Sequence, residues 1–193
     1  MSYTSKDPLI VEVVKKRFKE SIQAASFDNI NRLIFHSSYR PFYSIRGSKT
    51  EKLYIKTSIE FWQDFESNIP DGMTVFLENV EDDNPEVLAE IISGINSPKI
   101  CFCFDLAHAH VYSSARLYEW VQVLGDKIKH VHLSDNDGSY DSHLPLGKGD
   151  VPLLSTIRDI LKYADEDVVF TLECDIPLSV EWLKNKQLLT SFL

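Results

Sequence analysis

The chain has 193 residues, 44% hydrophobic and 25% charged, with a net charge of −9. This is the composition of a soluble globular protein with one sizeable core. No apolar run approaches the ~20 residues of a membrane helix, and Met1 to Asp7 lack the apolar core of a signal peptide, so cytoplasmic residence is expected. The acidic total does not suggest a basic nucleic-acid face. Divalent metals held at a site would offset part of that charge, so nucleic acid is a disfavoured partner rather than an excluded one. The three cysteines, an odd number, argue against disulfides. Cys101 and Cys103 read as small buried residues on one strand face.

Pro8 to Phe27 has helical spacing through Leu9, Val13, Val14, Phe18 and Ile22, with Asp7 as cap and Pro8 at the first position. A strand follows over Asn31 to His36, then a polar, aromatic loop from Ser37 to Ser48. Thr50 to Ser67 is a second helix, and Pro70-Asp71-Gly72 a turn. Met73 to Glu78 is a strand, and Asn84-Pro85 opens a helix carrying Leu88, Ile91, Ile92 and Ile95. Ile100 to Phe104 is a strand; Ser113 to Leu124 is a helix that Gly125 ends. Lys129 to Leu133 is a strand, Ser134 to Asp150 a long loop, and Val151 to Tyr163 a helix. Val168 to Glu173 is the last strand and Leu178 to Leu189 the last helix. Strands with bulky apolar residues, separated by helices, imply a parallel sheet in a single α/β domain over residues 1–193.

Residues two apart on a strand share a face. Cys101, Cys103 and Asp105 therefore point one way, and Phe102 and Phe104 the other. His130 and His132 oppose Val131 and Leu133, and Thr171 and Glu173 oppose Phe170 and Leu172. The polar set lies inside a barrel with its ligands at the carboxyl rim, and the apolar set meets the helices. Glu78, Asp105, His132 and Glu173 end four successive strands. Carboxylates with one imidazole suit Mn²⁺, Mg²⁺, Co²⁺ or Zn²⁺. His108, three residues after Asp105, can join them. Asp141 and His143 are a second pair on the long loop. A lone strand-end carboxylate is more often a cap or an ion-pair partner, but several buried together without a cation are expensive. His110 and His130 read as structural, and His36 as an open case. Gly147-Lys148-Gly149 is weak evidence for a phosphate site and better evidence for a tight turn.

Five stretches carry a family resemblance: Leu77-Glu78-Asn79, Asp105-Leu106-Ala107-His108, His130 to Asn136, Asp141 to Gly149, and Leu172-Glu173. They resemble the xylose-isomerase-like TIM-barrel superfamily, which holds sugar (and sugar phosphate) isomerases and epimerases and the AP endonucleases of family 2. The resemblance implies one divalent metal on Glu78, Asp105, His132 and Glu173. It implies Glu78 and Glu173 as an acid–base pair, with His108 orienting a sugar or sugar-acid substrate. In the endonuclease branch it implies a second metal on His108, Asp141 and His143, and His36 as a further ligand with Glu78. No arginine follows His132 closely, where some epimerases keep a substrate contact; Gly138 stands there.

A full barrel has eight strands and about 250 residues. This chain is expected to be a shortened (β/α) barrel of about five strand–helix units after a leading helix. Two open sheet edges follow, at Asn31–His36 and Val168–Glu173, to be covered by a second copy, another chain or the leading helix. The favoured activity is a metal-dependent sugar isomerase or epimerase working by proton transfer next to a metal-bound carbonyl. The alternatives are a zinc-dependent phosphodiesterase of the AP endonuclease type and a truncated, non-catalytic subunit.

Overall fold

Strands Arg32–His36 (β1), Thr74–Glu78 (β2), Ile100–Asp105 (β3), Ile128–Leu133 (β4) and Val169–Leu172 (β5) form one parallel sheet in chain order. This is seen in a computed structural model, which describes residues 2–45, 48–164 and 166–188. Helices Pro8–Phe27 (α1), Phe42–Ile45 (α2), Ser48–Phe65 (α3), Pro85–Ile95 (α4), Leu106–Tyr112 (α5), Leu117–Leu124 (α6), Leu153–Tyr163 (α7) and Ile176–Asn185 (α8) precede, separate and follow the strands. Each strand pairs with the next in sequence across a helical crossover, the connection of a (β/α) barrel. The sheet stops at five strands, and among the described residues no strand pairs with the outer side of β1 or β5. Accordingly β2, β3 and β4 are almost wholly buried, whereas β5 is half-buried throughout and β1 is exposed at both ends.

The outward faces of the strands supply the core. Phe102 and Phe104 stack against Trp120 of α6 at interplanar angles of 17° and 11°. Phe18 of α1 stacks on Phe35 of β1 with ring centroids 4.0 Å apart and also meets Trp62 and Phe65 of α3. The leading helix thus packs on the helical face of the sheet through Phe35. On the inner face, the His130 ring meets Phe76 at a tilt of 58° and His132 edge-on at 89°. Phe102 pairs with Ile128 but Cys103 with His130, so β4 carries one extra residue at Lys129. This irregularity sets His132 directly beside Asp105.

Several boundaries differ from the sequence reading. The loop after β1 contains the short helix α2. The expected helix Ser113–Leu124 is shorter, Leu117–Leu124, and a separate helix, α5, precedes it. Ser113 closes α5 through its N–H to Ala109 O, and its hydroxyl accepts the Trp120 indole N–H at 2.9 Å. α6 starts only at Leu117, where Glu119 accepts the Arg116 N–H at 2.7 Å. α8 begins at Ile176, ahead of Leu178, because Asp175 caps it and Pro177 sits in its first turn. Leu189, expected in that helix, lies outside the described residues. α3 ends at Phe65 in a 3₁₀ turn over Glu66–Asn68, and α7 begins at Leu153.

Ser37, directly after β1, has every polar atom engaged. Its N–H donates to Glu78 O at 2.9 Å, and its carbonyl accepts the Tyr3 and Tyr54 hydroxyls. Its hydroxyl donates to Asp82 Oδ2 at 2.7 Å, which also accepts the Val80 N–H. Asp82 Oδ1 is buried without a hydrogen-bond partner. Burial pushes Asp82 up to about 7, against the Ser37 and Val80 hydrogen bonds, and the buried Tyr3 phenol up to about 12. A carboxyl raised from 3.8 to about 7 contributes stability that is complete below the lower value and is lost as pH rises through the upper one. The wild-type chain should therefore lose up to about 4 kcal/mol relative to Asp82→Asn between roughly pH 4 and 7, with no further change above. Urea unfolding of both proteins across that range reads the difference; a pH-independent gap would show that Asp82 is ionised in the fold.

Candidate metal centre

The carboxyl ends of four strands converge. Glu78 ends β2 and is buried; its Oε1 lies 2.8 Å from His132 Nδ1 and 3.6 Å from His108 Nδ1. Asp105 ends β3 and caps α5, its Oδ1 accepting the His108 N–H at 2.7 Å. Its Oδ2 is fully buried with no hydrogen-bond partner, 3.6 Å from His108 Nδ1 and 3.8 Å from His132 Nδ1. His132 Nδ1 is 3.3 Å from Glu173 Oε1. Glu173 sits one residue beyond β5, and its N–H continues the ladder to Leu133 O at 3.0 Å. One ligand atom from each of Glu78, Asp105, His132 and Glu173 lies within 4.8 Å of every other.

A second group stands beside the first. His108 Nε2 and His143 Nε2 lie 3.2 and 3.1 Å from the same oxygen, Asp141 Oδ2. Their other nitrogens face main-chain carbonyls, His108 Nδ1 to Asn79 O at 2.9 Å and His143 Nδ1 to Glu173 O at 2.7 Å. A carbonyl only accepts, so both Nδ1 atoms carry a hydrogen, and each Nε2 faces the Asp141 carboxylate, donating to it while the ring is protonated and offering a lone pair once that proton leaves. That is the orientation of imidazoles prepared for a cation. His36 Nε2 approaches Glu78 Oε2 at 3.5 Å from the exposed end of β1.

The electrostatics agree with the geometry. Burial pushes Asp105 up to about 6 although the His108 charge pulls it down. Burial also works against ionised Glu78, but the hydrogen bond and charge of His132 outweigh it and hold Glu78 below its usual range. Burial would lower His108 and His132, yet the surrounding carboxylates raise both; His143 is raised by the Glu173 carbonyl and Asp141. The imidazoles thus hold protons where the carboxylates need positive charge.

The other sequence-level candidates take different places. His130 is deeper inside, with Nε2 2.9 Å from Thr171 Oγ1, and burial with the nearby His132 and Arg32 charges lowers it to about 4. His110 lies against Gly138. None of the three cysteines forms a disulfide among the described residues; Cys103 is buried and Cys101 half-buried.

Three residues that set up the centre lie in the resembling stretches Leu77-Glu78-Asn79 and His130 to Asn136, but the sequence alone assigned them no role. The Asn79 amide exchanges two 2.9 Å hydrogen bonds with the main chain of Asp105, fixing the ends of β2 and β3 together. The Asn136 amide donates to Ala107 O at 2.9 Å. The Asp135 carboxylate accepts the N–H groups of Asn136, Gly147 and Val151, drawing the long loop into a ring. The available signal was an Asn or Asp placed one to three residues past a strand end.

A profile of the family described as "Xylose isomerase-like TIM barrel" matches residues 1–186. The chain belongs to that family. It is 30% identical over 129 residues to the uncharacterized protein MJ1311 of Methanocaldococcus jannaschii, covering 63% of this chain and 43% of that one. It is 27% identical over 110 residues to fructoselysine 3-epimerase of Escherichia coli O157:H7, covering 48% of this chain and 40% of the enzyme. The structure of a D-tagatose 3-epimerase-like protein superposes with a TM-score of 0.75 at 23% identity, covering 97% of this chain and 73% of that one. The last match shows the fold: five parallel strands curled into part of a TIM barrel. The matched segments span about two-fifths of the curated relatives' length. No helix among the described residues is long and apolar enough to cross a membrane.

Gly147-Lys148-Gly149 is a packed turn. A side chain at Gly149 would run into Asn136 O and Asp135 Oδ1, one at Gly147 into the Trp182 indole, and Gly147 has φ +79°. Gly149→Ala should cost about 1–3 kcal/mol of unfolding free energy, whereas Lys148→Ala, on an exposed side chain, should stay within ~0.5 kcal/mol. Denaturant unfolding of the two variants checks this ordering.

Proposed function

We propose that this chain is a sugar epimerase or isomerase that holds one divalent cation (Mn²⁺, Mg²⁺, Co²⁺ or Zn²⁺) between Glu78, Asp105, His132 and Glu173. The observation that carries the reading is the buried Asp105 Oδ2, which has no hydrogen bond, inside a cluster of three carboxylates and one imidazole. Such an atom is costly unless a cation meets it, and hard oxygen donors with one nitrogen suit these ions. The fructoselysine 3-epimerase and D-tagatose 3-epimerase-like relatives support a sugar substrate.

When bound, the cation would polarise adjacent oxygens of a keto sugar and lower the barrier to losing a proton from the neighbouring carbon. The chain's own residues would move that proton. Glu78 and Glu173 reach the cluster from β2 and β5, with β3 and β4 between them, so they can address opposite faces of a substrate. One removes the proton and the other returns it. Glu78, held below its usual range, is ionised and ready to accept. His108 would orient the substrate oxygen.

The Asp141 cluster favours a second reading, a zinc phosphodiesterase with a further ion on His108, Asp141 and His143 and with His36 beside Glu78. The net charge of −9 weighs against a DNA substrate. A third reading, a non-catalytic subunit, draws on the open edges at β1 and β5. Those edges are proposed to be covered by a second copy or another chain. Sedimentation should then show a species larger than 22.2 kDa; a monodisperse monomer removes both options.

Metal content of protein purified without added metal separates the readings. About one divalent ion per chain, lost in Glu173→Ala, is expected, with 3-epimerisation of ketoses as the activity to follow. Glu78→Gln and Glu173→Gln should each lower that activity by ~10²-fold or more. Two or more zinc ions would favour phosphoester hydrolysis. No metal after incubation with Mn²⁺ and Zn²⁺ would sink both enzymatic readings.

A further inference from the structure

Glu173 is the least enclosed member of the four-residue cluster. Its side chain is 35% exposed, against 4% for Glu78, 0% for Asp105 and 5% for His132. It follows an edge strand, so no neighbouring strand among the described residues holds its outer side. A ligand so placed needs another restraint if its carboxylate is to stay at the cluster.

The long loop after β4 supplies one. His143, in the left-handed region at φ +46°, turns its Nδ1–H onto the Glu173 carbonyl at 2.7 Å. Its Nε2 rests 3.1 Å from Asp141 Oδ2, which also meets His108 Nε2, and His108 Nδ1 donates to the carbonyl of Asn79, the residue after Glu78. A bridge of polar contacts therefore runs from the main chain at Glu173 to the main chain beside Glu78. It joins the two carboxylates that the proposed proton transfer uses.

We infer that His143 is a positioning residue: its Nδ1–H fixes the Glu173 main chain so that the carboxylate stays within reach of Glu78, Asp105 and His132. This role belongs to the nitrogen opposite the one that faces Asp141. It rests on the reading of the Glu78–Asp105–His132–Glu173 cluster as a cation site. It does not require an ion at the Asp141 group.

The two ring nitrogens can be separated by substitution. The Asn amide places a donor where Nδ1 stood, and the longer Gln amide places one where Nε2 stood. Mn²⁺ titration of the metal-free full chain by calorimetry, following the binding event abolished in Glu173→Ala, compares wild type with His143→Ala, His143→Gln and His143→Asn. Affinity should fall ~10-fold or more in the Ala and Gln variants and return to within about threefold of wild type in the Asn variant. Thermal midpoints of the metal-free proteins serve as the control. A merely structural role would lower them in step with affinity, which would overturn the inference. Equal affinity in all four proteins would overturn it alone. Rescue by Gln and not Asn would also overturn it, assigning His143 to direct coordination through Nε2. A wild-type chain that binds no Mn²⁺ would overturn the cluster reading and the inference together.

Discussion

A single buried carboxylate joins scaffold to site. Asp105 ends the central strand β3, and one of its oxygens caps the helix that follows. Its main chain is locked to the β2 end by the Asn79 amide. These contacts leave the second oxygen committed to the inner face, where a carboxylate without a counter-charge costs several kcal/mol even after relaxation. The fold thus spends part of the stability gained in its aromatic outer layer on holding negative charge at the rim. His108 and His132 offset that charge with protons in the metal-free state, and a divalent ion would replace this makeshift arrangement.

Much of this was legible because parallel strands write their orientation into the sequence. The alternation in Cys101 to Asp105 separates Phe102 and Phe104, which meet Trp120, from Cys103 and Asp105 inside. The same rule places His130 and His132 on the inner face although β4 is irregular at Lys129, because the extra residue lies before the histidines. The convergence of Glu78, Asp105, His132 and Glu173 follows from their common position at strand ends. The five strands of the sheet, too, could be counted from their patterns.

What escaped the sequence depends on contacts between distant residues. Nothing local distinguishes Ser113 as a joint between two helices; its hydroxyl is claimed by Trp120 and by Asp83 O. Helix α2 is four residues long, too short for a periodic signal. Asn79 and Asp135 carry no special spacing, and their amide and carboxylate acquire meaning only when β3 or the Gly147 turn arrives beside them. The Tyr3 hydroxyl meets Ser37 O across a separation of 34 residues, beyond any pattern window.

The loop after β4 is pinned at its base by a small antiparallel bridge, in which Asp135 and Leu144 exchange hydrogen bonds of 2.9 and 2.8 Å. The excursion between them, Asn136 to His143, leaves and returns at nearly the same point. Its exposed stretch, Asp137 to Tyr140, can therefore change in length and composition without shifting β4 or the turn that leads to α7. This makes Asp137 to Tyr140 a replaceable cassette: evolution could vary it at little cost to the sheet, while Asp141 and His143, tied to His108 and to the Glu173 main chain, stay at the rim.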